Sequence, residues 1–410
     1  MKREWLFVFL WMLIYITVRS IHFVDALNFS QDQAADSLRG LMLYRERAFT
    51  LIGTHTGYVY NGRLLFLGPL FIYTYLFFNI LGRFDPIVST YIFVVMGSIS
   101  VVPLYYGLKR LGNSMSALTG IALYSLLPYF IDYSRFLWNP NFQLVSTPVL
   151  IYSFAQYHTS RGYRWLFATS VLLGLLLQDH YQYALLILAF GVYLLLHRRT
   201  VISILTFIGG IMLGFLPVLL FEIRHDFYNL RTAILFLQHY REVFFVGHSA
   251  PVSKHFFLSP TLVLIALLVT RCRRSLTPKV VGGIVVVLLL GSALFTQRPD
   301  RMFNSQTPWR YTDELKVYRI IQKYNLTDTN ITLLHYDNEA VVQKFFLTRD
   351  RRTVSNDYYH NQYLFAVSET GKLNEYSAYE IRIFQPRTIV QSWPITERYT
   401  LYLLKRGEEK

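Results

Sequence analysis

Asp32 and Asp36 stand four residues apart in a stretch, Asn28–Arg39, that also holds Ser30 and Gln33. A serine followed three positions later by glutamine is a capping box, so a helix is expected to start here. Ala34, Ala35, Leu38, Leu41 and Met42 then recur at helical spacing, the pattern of an amphipathic helix lying on a membrane surface. Asp32 falls in its first turn, where the helix dipole favours an ionised carboxylate. Asp36 lies one turn on along the same face. Like charges at that spacing cost a few tenths, about 0.2–0.5 kcal/mol. The pair is therefore either two charges that simply solvate an interfacial helix or a pair that a function uses.

Three further segments concentrate polar chemistry between apolar runs. The first, Asp132–Asn141, holds Arg135, Trp138, Asn139 and Asn141. An arginine at membrane depth seeks an anion, and its fork matches phosphate oxygens; the plainer reading is an interfacial anchor whose stem lies along apolar surface. The second, Gln178–Tyr183, is the tip of a helical hairpin and offers Gln178, His180 and Tyr181 to a sugar, or is only a polar tip. The third, Phe221–Phe227, carries Glu222, Arg224 and His225, and Arg231, His239, Arg241 and His248 follow it. A basic, histidine-containing loop beside headgroups suits a lipid phosphate. Asp32, Asp36 and His225 are the only grouping offered to a divalent metal, and no firm ligand spacing supports it. No cofactor is required by any motif. A Walker loop, a nucleotide-binding glycine fingerprint and a nucleophile elbow are all missing, which argues against ATP-driven transport and against a nucleotide-sugar site.

The elements that must carry these residues are apolar. Of 410 residues 53% are hydrophobic and only 16% charged, against about 25% charged in ordinary soluble domains. The shortage is confined to residues 1–297, where runs near the length of a bilayer-crossing helix recur. They are 5–24, 65–81, 87–108, 115–131, 142–157, 164–178, 181–197, 200–220, 257–270 and 280–296. The expected fold class is mainly α: a polytopic membrane helical bundle at 1–297, followed at 298–410 by a small extracytoplasmic α/β domain. The start resembles a signal peptide, but Arg19, His22 and Asp25 stand where small residues would precede cleavage, so an uncleaved first helix is expected. Cys272, the single cysteine, excludes an intramolecular disulfide and a cysteine-based zinc site.

The net charge of +15 falls largely in short turns: Lys109-Arg110, Arg161 with Arg164, His197-Arg198-Arg199, and Arg271, Arg273, Arg274 with Lys279. The positive-inside rule places these turns, with Lys2 and Arg3, in the cytoplasm, which removes nucleic acid as a partner. That topology requires the short 65–81 run, broken by Gly68-Pro69, to enter and leave on the outer side. The segments bearing the candidate residues then gather on the outer face.

These residues together resemble a family. Asp32-Gln33-Ala34 with Asp36, Leu51-Ile52-Gly53, Gly62-Arg63, Gly68-Pro69-Leu70, Asp85-Pro86, Tyr133-Ser134-Arg135 with Trp138–Asn141, Gln178 with His180-Tyr181, and Phe221-Glu222 with Arg224-His225 look like a bacterial GT-C glycosyltransferase. The relatives are the family 39, protein O-mannosyltransferase-like enzymes and the lipid A aminoarabinose transferases. The similarity covers roughly residues 1–230. Leu67 before Gly-Pro and Ala35 depart from the usual pattern. The resemblance implies a polyprenyl-phosphate sugar donor, inverting transfer at the outer face of a bacterial plasma membrane, and a glycan, lipid or protein acceptor. It maps the first-loop aspartate, base or acceptor-positioning group, to Asp32, with Asp32 taken as the base and Asp36 assisting it or orienting a metal. Arg135, Arg224 and Arg63 become the cations for the departing phosphate, and His180, Asn139 and Asn141 hold sugar or acceptor. A flippase or secondary transporter for lipid-linked saccharides, and a polysaccharide polymerase or ligase, are the rivals. Transporters more often show matched halves, and no internal repeat is evident.

In the C-terminal part, helices are expected at Glu314–Tyr324 and Glu339–Leu347, and strands at Ile331–His335, Tyr379–Phe384 and Tyr399–Leu404. Asn325-Leu326-Thr327 and Asn330-Ile331-Thr332 match the glycosylation sequon.

Overall fold

The computed structural model describes residues 2–197, 200–245, 308–324, 328–352, 355 and 357–407. The expected spans 257–270 and 280–296, Cys272 and its basic turn, the 297/298 boundary, Arg198-Arg199 and the Asn325 sequon lie outside the described residues.

The apolar runs are helices. In order they are α1 (Lys2–Ser20), α2 (Gln31–Glu46), α3 (Leu70–Leu81), α4 (Pro86–Ile99), α5 (Val101–Leu111), α6 (Ser114–Leu126), α7 (Pro128–Tyr133), α8 (Gln143–Ser160), α9 (Tyr163–Asp179), α10 (Ala184–His197), α11 (Val201–Gly214), α12 (Leu216–Arg224) and α13 (Tyr228–Gln238). Among the described residues, Pro86–Leu111 is one helical stretch long and apolar enough to cross a membrane; α11 and α12 together make a second, bent by 72°. α3 has 12 residues, about 18 Å at 1.5 Å per residue, short of a hydrocarbon core of about 30 Å.

Many large apolar side chains point outward. Leu188, Val192, Leu196, Ile202, Leu205, Leu213 and Ile223 on α10–α12 are each more than half exposed or close to it, as are Trp5, Leu6 and Phe9 on α1. Monomeric soluble proteins rarely leave so much contiguous apolar surface bare. Inside, α1 is locked to α6 and the turn after α7 by Arg19. Its guanidinium donates to Ser134 Oγ (2.6 Å), Ser125 O (2.8 Å) and Tyr124 O (3.1 Å) and lies 3.4 Å over the Tyr15 ring.

One element was not anticipated from the apolar runs. Residues 55–66 form a β-hairpin, β1 (His55–Tyr60) and β2 (Arg63–Phe66), and β3 (Phe244–Phe245) adds to β1. The turn is Asn61-Gly62, with φ of 48° and 72°. Positive φ at both central residues is what a two-residue hairpin turn demands.

The C-terminal part contains α14 (Tyr311–Gln322), β4 (Thr329–Leu333), α15 (Val341–Arg349), β5 (Tyr363–Glu369), a short α16 (Tyr379–Arg382), β6 (Arg387–Pro394) and β7 (Tyr399–Arg406). The sheet order is β4-β5-β7-β6, with β4 and β5 parallel and the rest antiparallel. α14, α15, β4 and β7 match the expectation within a few residues. Tyr379–Phe384 is not a strand; it is the helical turn α16, because Ile381 and Phe384 pack at helical spacing into the sheet's core. β5 and β6 were not foreseen. Asn330 and Thr332 of the second sequon are fully buried within β4, closing that site to a glycan. A single hydrophobic core runs from α1 through Phe29 to the C-terminal sheet.

Candidate functional site

α2 begins where the capping box placed it. Gln33 Oε1 accepts from the Ser30 backbone N–H (3.1 Å) and from Ser30 Oγ (2.8 Å). Asp32 is exposed in the first turn, whereas Asp36 is buried. The Tyr75 hydroxyl ties α2 to α3, donating to Gln33 O (3.0 Å) and accepting from Ser37 Oγ (2.8 Å). Burial, then the charge of Asp32, pushes the Asp36 carboxyl up to about 8, against a smaller opposing pull from Arg39. Near neutral pH Asp36 is therefore protonated, and Asp32 is the member of the pair that faces solvent.

This has a consequence for stability. Between pH about 4, where the unfolded carboxyl ionises, and about 8, where the folded one does, the native state holds a proton that the unfolded chain has lost. Stability from this group falls across that window as pH rises and is level above it. Asp36→Asn is expected to flatten the fall, by at most about 6 kcal/mol at about 1.4 kcal/mol per pH unit. Unfolding of both proteins in detergent at pH 5 and pH 8 measures it; equal differences at the two pH values would refute it.

From α2 the backbone connects to the other candidate segments. Arg39 donates to Gly53 O (2.8 Å) and Ile52 O (3.3 Å). Gly53 N donates to Leu67 O (2.8 Å), and Gly68 N to Gln178 O (2.9 Å). A Cβ on Gly53 would stand 2.3 Å from Gly68 O, so glycine is required by this close approach. Gln178 is buried and donates through Nε2 to Gly214 O (2.5 Å). The Tyr181 hydroxyl donates to Phe66 O. Asn229 holds the same residue from the other side, accepting from Phe66 N (3.0 Å) and donating to its O (3.3 Å). Buried Glu222 accepts from Asn229 N and Leu230 N. Arg63, half-buried, lies 5.6 Å over the Tyr228 ring. The strand-to-helix passage Arg63–Pro69 is thus the hub to which α2, the hairpin tip after α9 and the α12–α13 corner all attach.

The sequence candidates divide on this frame. Gln178, Tyr181 and Arg63 meet at the hub. Arg224 and His225 are exposed at the end of α12, His225 with its ring stacked on Phe221 at 4.2 Å and Nδ1 2.9 Å from Phe221 O. Asn139 Nδ2 donates to Asp179 O (3.3 Å), joining the 132–141 turn to the hairpin tip; Asn141 is buried with Nδ2 on Phe136 O (3.1 Å). Burial holds His180 down at about 4, so its imidazole is neutral; its Nδ1 accepts from Gln182 N (3.2 Å). Arg135 stands elsewhere. Its guanidinium is 1% exposed and donates to Val18 O (3.1 Å) and Ile21 O (3.0 Å). Those carbonyls lie in the last turn of α1 and just beyond it, so the cation helps hold the end of that helix.

Among the described residues, no group of three or more histidine, cysteine, aspartate or glutamate side chains could hold a metal ion; Asp32, Asp36 and His225 do not assemble into one. Two residues escaped the sequence reading. Arg39 shares a face with Asp36 at i+3, a signal that was present. Asp179 is buried with Oδ1 lacking a hydrogen-bond partner, which only the folded chain shows.

The architecture matches that of a solved protein. ArnT from Cupriavidus metallidurans in the apo state superposes with a TM-score of 0.54 at 11% identity, covering 97% of each chain. The same protein bound to undecaprenyl phosphate gives 0.46 at 11% identity over 97% of this chain and 98% of that one. An oligosaccharyltransferase from Archaeoglobus fulgidus, in complex with Zn and sulfate, gives 0.38 at 15% identity over 77% of this chain and 43% of that one. Residues 68–221 match the family model for dolichyl-phosphate-mannose-protein mannosyltransferases. The family match falls on α3 to α12, and the likeness to ArnT bears out the fold that the resemblance to GT-C glycosyltransferases implied. Among curated proteins none matches the chain.

Proposed function

We propose that this protein is a membrane glycosyltransferase that moves a sugar from a polyprenyl-phosphate donor to an acceptor hydroxyl at the outer membrane face. The observation that carries the reading is the α2 carboxylate pair. One aspartate is exposed at a helix N-terminus and its neighbour is buried and neutral, while Arg39 of the same helix ties it through Gly53 to the hub that holds the hairpin tip and the basic α12–α13 corner. The family match over residues 68–221 supports a lipid-phosphate sugar as donor, and the outward apolar surface of α10–α12 supports hydrocarbon around it.

In this reading Asp32 accepts the proton of the acceptor hydroxyl as its oxygen attacks the anomeric carbon. The bond from that carbon to the phosphate oxygen breaks, and the lipid phosphate leaves with the electron pair. Attack opposite the leaving group inverts the anomeric centre. Cations must meet the phosphate charge as it develops. Arg63, Arg224 and Arg231 are on the accessible side of the α12–α13 corner and take that role; Arg135, committed to the carbonyls of α1, supports the frame. Asn139, Asn141, Gln178, His180 and Tyr181 border the sugar or acceptor. The unit from residue 298 onward is extracytoplasmic.

The test is a donor panel in membranes. Radiolabelled polyprenyl-phosphate sugars are offered beside the matching nucleotide sugars, and transfer to endogenous glycan, lipid and protein is scored. Transfer from a lipid-linked donor alone is expected. Label movement across vesicles without transfer from any donor would sink the reading in favour of a flippase.

A further inference from the structure

α2 cannot hold its own position. The residues it buries are Gln33, Ala34, Asp36, Ser37, Gly40 and Leu41: three polar, two very small, and one leucine. Burying a leucine is worth about 1.5–3 kcal/mol, and a 16-residue helix is marginal without a packed apolar face. Tyr75 grips it on one side. On the other side its anchors come from the C-terminal unit.

Phe29, the residue before the N-cap, is 3% exposed. Its ring sits among Tyr311 of α14 (6.0 Å between centroids) and Phe345 and Phe346 of α15 (5.3 and 6.1 Å). At the far end of α2, Arg45 donates to Thr348 O (2.8 Å) and Arg349 O (3.0 Å), the last carbonyls of α15. A cation there meets the terminal carbonyls and the negative end of the helix dipole. Both ends of the carboxylate helix are thus fixed by one short helix more than 300 residues away in the chain.

Resting on the reading of α2 as the helix that carries the base, we infer that the C-terminal unit sets the position of Asp32, with Phe29 and Arg45 as positioning residues that act through α2. The unit's contribution is to hold the first turn of α2 at a fixed distance from the hub. Asp32 lies three residues beyond Phe29, so slack at Phe29 reaches it directly.

The experiment uses the full chain in detergent and in membranes, as wild type, Phe29→Ala, Phe29→Leu and Arg45→Ala. Hydrogen exchange over residues 31–41 is compared with exchange over 163–179, and transfer is measured from whichever polyprenyl-phosphate sugar the wild type uses. In Phe29→Ala the α2 amides are expected to exchange about tenfold faster while those of α9 are unchanged, since local opening is set by local contacts. The turnover number should fall by about 100-fold, the scale of a misplacement near 1 Å, with KM for the donor unmoved. Phe29→Leu should recover most of the rate, and Arg45→Ala should shift both readouts in the same direction by less. Unchanged α2 exchange in both alanine variants, or a loss carried by KM alone, overturns the inference. If Phe29→Ala unfolds and α9 exchange rises too, Arg45→Ala decides. If the wild type transfers from no donor, the proposed function fails, and the exchange data still decide whether the C-terminal unit holds α2.

Discussion

Asp32→Asn is expected to abolish sugar transfer, by about 10²- to 10⁴-fold, the range of a lost general base, without disturbing insertion or folding. Asparagine keeps the shape and still tolerates the first turn of a helix, so the change removes charge and basicity and little else. Asp32 is exposed, so no core packing depends on it. Its neighbour complicates the outcome in a predictable way. Part of what pushes the Asp36 carboxyl up to about 8 is the charge of Asp32. Removing that charge lets Asp36 ionise at a lower pH, and any residual transfer should fall along a shifted pH profile rather than follow the wild type's. Asp32→Glu, with the carboxylate displaced by one methylene, should retain more activity than Asp32→Asn. The measurement is initial transfer rate per inserted protein across pH 5–9. A variant within about threefold of wild type, where base catalysis is worth at least about 100-fold, would remove Asp32 as the base.

The parts of this site that were legible in the sequence are those fixed by local rules. Ser30 and Gln33 declared the start of α2 because a capping box is written in four residues. Helices α4 to α12 were legible because a long apolar run has few options besides a helix. The Asn61-Gly62 hairpin was just as local, yet its two strands are only six and four residues long, too short for a period to announce them. Arg135 shows the limit. Its sequence setting suits a phosphate ligand or an interfacial anchor, and its contacts with the carbonyls of Val18 and Ile21, more than 100 residues earlier, were written in neither. Asp36 is similar: spacing put it beside Asp32, but its burial, which makes it neutral, depends on the packing of α2 against its neighbours. In the C-terminal unit, Tyr379–Phe384 alternates like a strand over too few residues for period to decide. β5 and β6 take their identity from pairing with β7.

The largest effect on folding is expected where α9 crosses α11. Gly210 and Gly214 stand one turn apart on α11, and Gly174 faces them from α9. A Cβ on Gly214 would lie 2.2 Å from Val171 O and 2.8 Å from Leu175 N; one on Gly174 would lie 2.4 Å from Ile211 O; one on Gly210 would lie 2.5 Å from Ser170 Cβ. Backbone meets backbone here, and small residues permit such an approach between helices that have no hydrophobic drive to associate in lipid. Gly214→Val must force the helices apart. Overpacking of this kind costs about 1–3 kcal/mol and more where backbone cannot yield. The displacement also has a functional route. Gly214 O is the acceptor for Gln178 Nε2, and Gln178 O holds Gly68 N at the hub, so separation of α11 from α9 releases the hairpin tip from Pro69 and α3. Transfer should therefore be lost together with thermal stability. The control lies in the same helix. A Cβ on Gly209 meets nothing within 4 Å, so Gly209→Ala should fold normally, and it should gain up to about 1 kcal/mol from helix propensity. Unfolding temperatures of the two variants in one detergent separate the cases. Equal stability of Gly214→Val and Gly209→Ala would mean that the α9–α11 contact does not set the geometry of the site.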